Sequence, residues 1–380
     1  MKKIIIAADS FKGSLGSAQV ADAMARGIRS VFPDCAIHQV TIADGGEGTV
    51  EALVDSLKGE YVTATVHDPL MRPVEARYGI VDDGRTAVIE MAAASGLPLV
   101  EPALRNPLKT TTYGTGELIA DALSRGCRQF LIGIGGSATN DAGTGMLQAL
   151  GYKFFDAAGQ ELGPGGEILG RIERIDGSGK LPELNASSFT IACDVSNPFS
   201  GPEGAAYVFA PQKGADPAMV AELDRGLHRF AGVILKEYGM DIDRYPGAGA
   251  AGGLGGAFRA ILNGSLVSGI RMVLDAVGFD SLLDGADLVL TGEGKLDAQT
   301  AMGKAPRGVL DAAGRAGIPM IAIGGTVEAA EDLNRQGFTA VFPILPGPAS
   351  LEKAMEADFA AANIERTVSQ LMRAVKATNS

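Results

Sequence analysis

Short apolar runs and amphipathic stretches alternate along the first sixty residues. KKIIIAAD (2–9) sets five apolar residues in a row, the pattern of a fully buried strand. SAQVADAMARGIRSVF (17–32) spaces its apolar residues for a helix. AIHQVTIAD (36–44) predicts a second strand and GTVEALVDSL (48–57) a second helix. The rhythm returns at the other end of the chain. ADLVLTG (286–292), IPMIAIGG (318–325) and FTAVFPIL (338–345) read as strands, with a helix at about 304–316. Residues 351–377 read as one long closing helix.

The middle of the chain has a different pattern. YVTATVHD (61–68), VEARYGIVDD (74–83) and TAVIEMA (86–92) alternate apolar and polar positions between turn signals, as half-exposed antiparallel strands do. A helix near 115–125, a strand before residue 134, the strand FTIACDV (189–195) and a helix near 217–238 follow. The economical arrangement is α/β: a flavodoxin-like (Rossmann-like) parallel-sheet domain from residues 1–60 and 285–380, with a mixed α/β domain, 61–284, inserted. The crossing points near 60 and 285 are then the expected hinges. A single split near residue 150 is the alternative. It would put the N-terminal strand pair in one sheet with antiparallel strands, a less common arrangement.

Composition narrows the function. Among 380 residues, 52 are glycine, about twice the usual ~7%, and they fall in clusters that point to special loops. The net charge of −12 disfavours nucleic acid or an anionic membrane as partner. An anionic substrate must therefore be attracted locally, by a few lysines or backbone N–H groups. Three cysteines, Cys35, Cys127 and Cys193, form neither a metal pattern nor a disulfide framework, which implies a reducing compartment. The first apolar run stops at Asp9, too short for a secretory core, and no stretch approaches the ~20 apolar residues of a membrane span. A cytoplasmic protein is expected, with oligomeric state left open.

In a parallel sheet, the loops after successive strands share the carboxyl edge, where open α/β folds bind ligands. Four polar loops fall there: DSFKGS (9–14), DGGEGT (44–49), TGEGKLDAQT (291–300) and GGT (324–326). They carry Ser10, Lys12 and Ser14, then Asp44, Gly45, Gly46 and Glu47, then Glu293, Lys295 and Asp297. The middle region adds IGIGGSATNDAGTG (132–145), with Gly135, Gly136, Ser137, Asn140 and Asp141. It also adds ACDVSNPFSGP (192–202), with Asp194, and GAGAAGGLGGAF (247–258), with Gly252 and Gly253.

Phosphoryl transfer suits these residues. Backbone N–H groups of Gly-rich turns cradle phosphate oxygens. Carboxylates such as Asp44, Asp194 and Glu293 suit Mg²⁺, and a lysine neutralises phosphate charge. The three histidines, 38, 67 and 228, lie outside the Gly-rich loops, which argues against a histidine base or a zinc site. No G-x-x-x-x-G-K-[ST], no G-x-G-x-x-G opening the first helix and no protein-kinase catalytic loop occurs, so these motifs stop at a phosphate or nucleotide enzyme of no common class. Plainer readings stand beside these. Gly45-Gly46 and Gly135-Gly136 fit tight turns, and 249–256 fits a hinge or close helix packing. Glu90 fits either a buried position or an exposed strand edge.

Taken in order, DSFKGS, ADGGEGT, GIGGSATND, ACDVSNP, GAGAAGGLGGA and TGEGKLDAQTAMGKAP resemble the bacterial glycerate kinase family over residues 3–372. The resemblance implies two α/β domains, one inserted, and ATP-dependent phosphorylation of D-glycerate to 2-phosphoglycerate with Mg²⁺. On that basis Lys12 pairs with the glycerate carboxylate or the transferring phosphate, and Asp194 receives or positions the C2 hydroxyl proton. Asp44 and Glu293 hold Mg²⁺ with Asp297 as a third carboxylate, although Asp44 and Asp194 are interchangeable at this level. Loop 135–145 lines the cleft with Asn140 and Asp141 toward the ligand. Ala142 stands where the family usually has a second glycine, tolerable if its φ is negative. Competing readings are a kinase for another small hydroxy acid, a non-catalytic small-acid binder, and a dehydrogenase.

Overall fold

Ile4–Ala8 offers no polar face to water, and β1 (Lys3–Ala8) is buried from Ile4 onward. The structure, a computed structural model, describes every residue except 12, 43–45, 47, 298–299, 301–304 and 379–380. In chain order, β2 is Ala36–Thr41, β3 Glu60–His67, β4 Pro73–Val81 and β5 Thr86–Glu90. Next come β6 (Gln129–Gly133), β7 (Lys153–Phe155), β8 (Arg174–Asp176), β9 (Ser188–Ala192) and β10 (Ser265–Val267). The last strands are β11 (Leu288–Leu296), β12 (Met320–Val327) and β13 (Ala340–Pro343).

Two compact units result, residues 1–44 with 273–380, and residues 45–272. The first holds a wholly parallel five-stranded sheet in the order β13-β12-β11-β1-β2. Numbered within the unit this is 2-1-3-4-5, the flavodoxin-like order. Its core runs through Ile4, Ile6, Met24, Leu290, Ile323 and Ile364. The C-terminal segment is two helices, Leu351–Met355 and Ala357–Thr378, where the apolar spacing predicts one. Glu356 breaks them with φ −62° and ψ 125°. No glycine or proline marks the break; it turns Leu351, Ala354 and Met355 onto a cavity at the sheet edge.

The second unit is built on a mixed sheet in the order β10-β9-β6-β5-β4-β3. β3, β4 and β5 pair antiparallel, while β5, β6, β9 and β10 run parallel. β5 is buried from Thr86 to Ile89 where alternation predicts half exposure, because it lies between β4 and β6 and packs against helices Thr49–Leu57 and Tyr113–Ser124. Helix Thr49–Leu57 also packs on β4. That packing sets the division after residue 44, where the sequence suggests one near 60, and the return falls at 273, not near 285. The core of this unit is rich in phenylalanine, with Phe130 stacked on Phe189 at 4.9 Å between ring centroids. Among the described residues no helix is long and apolar enough to cross a membrane.

Gly27 sits near the end of helix Ser17–Arg29, where it packs on helix Ala357–Thr378. A Cβ there would lie 2.6 Å from the Glu365 carbonyl oxygen and 2.9 Å from Val368 Cβ. On an isolated helix Gly→Ala gains about 1 kcal/mol. Here the overpacking dominates, and Gly27→Ala is expected to lose about 1–3 kcal/mol in urea unfolding. A gain in stability would contradict the close helix crossing.

Candidate active site

Two groups of polar residues stand at strand ends, one in each unit. In the first unit, the turn after β1 and the ends of β11 and β12 enclose a cavity of about 370 Å³. Its polar side is formed by Asp9, Ser10, Ser14, Glu293, Lys295 and Thr326. Asp9 accepts a 2.6 Å hydrogen bond from Ser10 N. Ser14 Oγ is buried with no hydrogen-bond partner. Glu293, only 8% exposed, accepts from the Thr300 hydroxyl, which itself accepts from Asp297 N at 3.0 Å. Thr300 therefore ties Glu293 to Asp297, a link the sequence reading missed. Lys295 lies 2.9 Å from Glu328 and 3.5 Å from Asp297, and the Glu328 hydrogen bond leads in holding its ammonium above the usual lysine range. Lys12, Asp44 and Gly45, with Glu47 and Lys304, lie outside the described residues.

In the second unit β6 and β9 are parallel neighbours, so the loops after Gly133 and Ala192 leave the same sheet edge. Gly135 and Gly136 are exposed. The loop is tied down by Leu97 N to Gly136 O and Ala138 N to Ser95 O, both 2.9 Å. Asp141 is fully buried and accepts from Thr112 N and Oγ1 at 2.8 Å, and from Thr111 Oγ1, Gly143 N and Gly145 N at 3.2 Å. Its oxygens accept from Thr111 and Thr112 as well as from Gly143 and Gly145, an arrangement that anchors the loop. Asn140 is the opposite case. It is equally buried, yet neither its Oδ1 nor its Nδ2 has a partner.

Ala142 has φ 52°, the left-handed region, not the negative value that would make its methyl easy to accept. Asp141's bonds on one side and Ala142 N to Gly252 O (3.0 Å) on the other hold it there. Gly252 itself has φ 69°, and a Cβ on it would come within 2.2 Å of Thr139 O. Gly252 and Gly253 thus serve close packing against loop 139–142. Within the run read as a Gly-rich loop, Ala251, Gly252 and Gly253 form a left-handed kink, and right-handed helix follows it as far as Ala260.

Lys213, in the plain-looking turn PQKGA, is a residue that sequence reading overlooked. It is fully buried, and its Nζ donates to Thr139 O at 2.6 Å and Ser137 Oγ at 2.8 Å. Burial pushes its pKa down to about 7, against the opposing pull of Asp141. Only the following glycine and the nearby threonine run 110–112 hinted at a buried polar assembly.

The remaining candidates stand at helix starts. Asp194 is exposed, and its Oδ1 accepts from Gly269 N at 3.0 Å, at the head of helix Gly269–Ala276. Gly46 O accepts from Thr49 Oγ1 at 2.8 Å. Glu90 accepts from Val50 N at 2.9 Å; burial raises its pKa and the N–H groups of that helix start oppose the rise. It is a half-buried helix cap.

Spent and unspent groups respond differently to removal. Asn140→Ala deletes an amide with no partner and is expected to change stability by less than about 1 kcal/mol, whereas Asp141→Ala costs about 3–5 kcal/mol. Equal losses in urea unfolding would contradict the assignment. For Lys213, the folded pKa of about 7 lies below the unfolded value of 10.5, so the unfolded chain binds more protons between them. Stability then rises with pH across that window. The stability difference between the parent and Lys213→Met should move in the parent's favour from pH 7 to pH 9, and a pH-independent difference would refute the buried titration.

A family model described as the glycerate kinase family matches residues 4–376. A glycerate kinase of Bacillus subtilis (strain 168) is 49% identical over 377 residues, covering 98% of each chain. A glycerate 2-kinase of Escherichia coli (strain K12) is 46% identical over 98% of this chain and 99% of its own. The crystal structure of a glycerate kinase 2 from Salmonella typhimurium LT2 superposes with a TM-score of 0.91 at 46% identity, covering 100% of this chain and 99% of that one. The chain belongs to the glycerate kinase family.

Proposed function

We propose that the protein transfers the γ-phosphoryl group of ATP to the C2 hydroxyl of D-glycerate, giving 2-phosphoglycerate and ADP. The observation that carries this reading is the 46% identity, over nearly the whole of both chains, to a protein named glycerate 2-kinase. Two strand-edge groups of the kind phosphoryl transfer uses support it, one rich in carboxylates and one in glycine and small polar residues. In the reaction the C2 oxygen attacks the γ-phosphorus, the β–γ bridging P–O bond breaks, and the hydroxyl proton passes to a carboxylate. Asp194 is the proposed acceptor or orienter of that proton. Lys12 is the proposed cation for the glycerate carboxylate or the transferring phosphoryl group.

The residues fit Mg²⁺. Asp9 and Glu293 present carboxylates to one cavity, a hard-oxygen donor set. Among the described residues no three His, Cys, Asp or Glu groups cluster for a metal. Mg²⁺ requires none, since it is held by one or two carboxylates together with phosphate oxygens and water. Glu293 and Asp297, with Asp44, are the proposed holders. Bound there, Mg²⁺ would offset charge on the transferring group. A cytoplasmic location belongs to this proposal, supported by the need for ATP and by three free cysteines.

The test is ADP release from Mg-ATP with and without D-glycerate, with L-glycerate and tartronate as controls. Release that requires D-glycerate, with phosphate located on C2 of the product, is the expected result. Release with tartronate alone would make the protein a kinase of a different hydroxy acid, and no release with any acid would leave a binder. Asp194→Asn is expected to lower kcat by about 10²–10⁴ with a smaller change in KM. Unchanged kcat in both Asp194→Asn and Asp44→Asn would remove the carboxylate assignment.

A further inference from the structure

The cavity at the carboxyl edge of the parallel sheet has a second side that phosphate chemistry does not use. Its lining also includes Phe11, Ile344, Leu345, Leu351 and Met355. Leu351 is 78% exposed and Met355 37% exposed, large apolar side chains left open to water on a five-residue helix. The short helix is held apart from the following long one by the extended residue Glu356 and capped by Ser350 Oγ, which accepts from Lys353 N at 3.2 Å. The Ser14 hydroxyl is buried and has no partner. An apolar wall facing a few polar groups is the usual make-up of a small-molecule site.

Two occupants are in question under the proposed reaction. D-glycerate carries oxygen on every carbon, so an apolar wall offers it nothing. A nucleoside matches instead. A purine has two apolar faces for leucine, isoleucine and the adaptable methionine thioether, and its ring nitrogens or ribose hydroxyls can use the Ser14 hydroxyl. The position agrees with the general rule for this strand order, which puts ligands at the crevice between the first and third strands of the unit, β1 and β11.

We propose that this cavity takes the nucleoside end of the ATP co-substrate, with Leu351 and Met355 covering the base and the Ser14 hydroxyl bonding it or its ribose. The assignment rests on the ATP-dependent reading above. It makes helix Leu351–Met355 the determinant of nucleotide affinity.

The test is direct binding of a fluorescent trinitrophenyl-ATP to the full chain in the presence of Mg²⁺, displaced by ATP. D-glycerate binding is followed separately by calorimetry. Leu351→Asp is expected to weaken ATP about tenfold, from lost apolar cover. Ala354→Phe, which fills the space, is expected to weaken it further. Leu235→Asp, an equally isolated exposed leucine on helix Pro217–Tyr238, should leave the ATP constant unchanged. Thermal melting of each variant checks that it is folded. ATP affinity at the parent's level in both Leu351→Asp and Ala354→Phe overturns the proposal. So does loss of D-glycerate affinity with ATP binding intact, and so does a parent that binds no nucleotide. A parent that binds ATP through this cavity but releases no ADP with D-glycerate would sink the kinase reading and leave the cavity assignment standing. ADP release dependent on D-glycerate with unaffected variants would do the reverse.

Discussion

The first unit depends on one pairing, β1 against β11. β1 is apolar on both faces and needs a strand on each side, but its near neighbour in sequence, β2, supplies only one. The other arrives after the whole second unit, with Ile4 opposite Leu288 and Ala8 opposite Gly292. Polar contacts at both ends fix this register. Asp287 accepts from Lys2 N and, at 3.0 Å, from Lys3 N, and those N–H groups hold its carboxyl below the usual range. At the far end Asp9 N donates to Gly292 O at 2.9 Å. Once β1 is flanked by β11 and then β12, the turns after these strands must share an edge. Ser10, Ser14, Glu293 and Thr326, up to 316 residues apart in number (326 − 10), line one cavity for that reason.

The second unit is organised by buried charge. Asp141, in the loop that follows β6, and Lys213, whose ammonium donates to that loop from the turn Pro211–Lys213, are both removed from water and hydrogen-bonded to backbone and hydroxyl groups. Burying charge is expensive unless such bonds are complete. The loop therefore has little freedom to adopt another shape. That constraint explains why Ala142 is held at positive φ and why nothing larger than glycine fits at 252. Against this background, the unpartnered Asn140 amide and Thr139 hydroxyl stand out. Buried polar groups normally find partners, and a ligand is the partner the proposed function supplies.

Phosphoryl transfer asks a protein mainly to position groups and offset charge. Each unit has strands that end in polar turns. In the first unit these turns carry carboxylates beside apolar side chains, and in the second a glycine-containing loop is tied down by the buried Asp141 and Lys213. An acidic protein of net charge −12 can handle anionic substrates on these terms because the relevant field is local.

Much of the fold was legible because it rests on local periodicity. The unbroken apolar run at 4–8, the alternation at 61–81 and the helical spacing at 217–238 each name an element without reference to the rest of the chain. The parallel sheet made from both chain ends followed from the same repeats, and family membership followed from the order of the polar glycine motifs. The roles of individual polar residues did not. Asp141 and Asn140 are adjacent and look alike in a sequence, but one faces donors from residues 111, 112, 143 and 145 and the other faces none. Lys213 reads as a surface lysine until helices and loops distant in sequence close over it. The break at Glu356 and the left-handed kink at Ala251, Gly252 and Gly253 also went unread. Sequence determined which segments could be strands, helices and ligand loops, because hydrophobic spacing is a local property. Tertiary structure decided which polar atoms are spent on the fold and which remain for a ligand, because a hydrogen bond's partner is set by where distant segments meet.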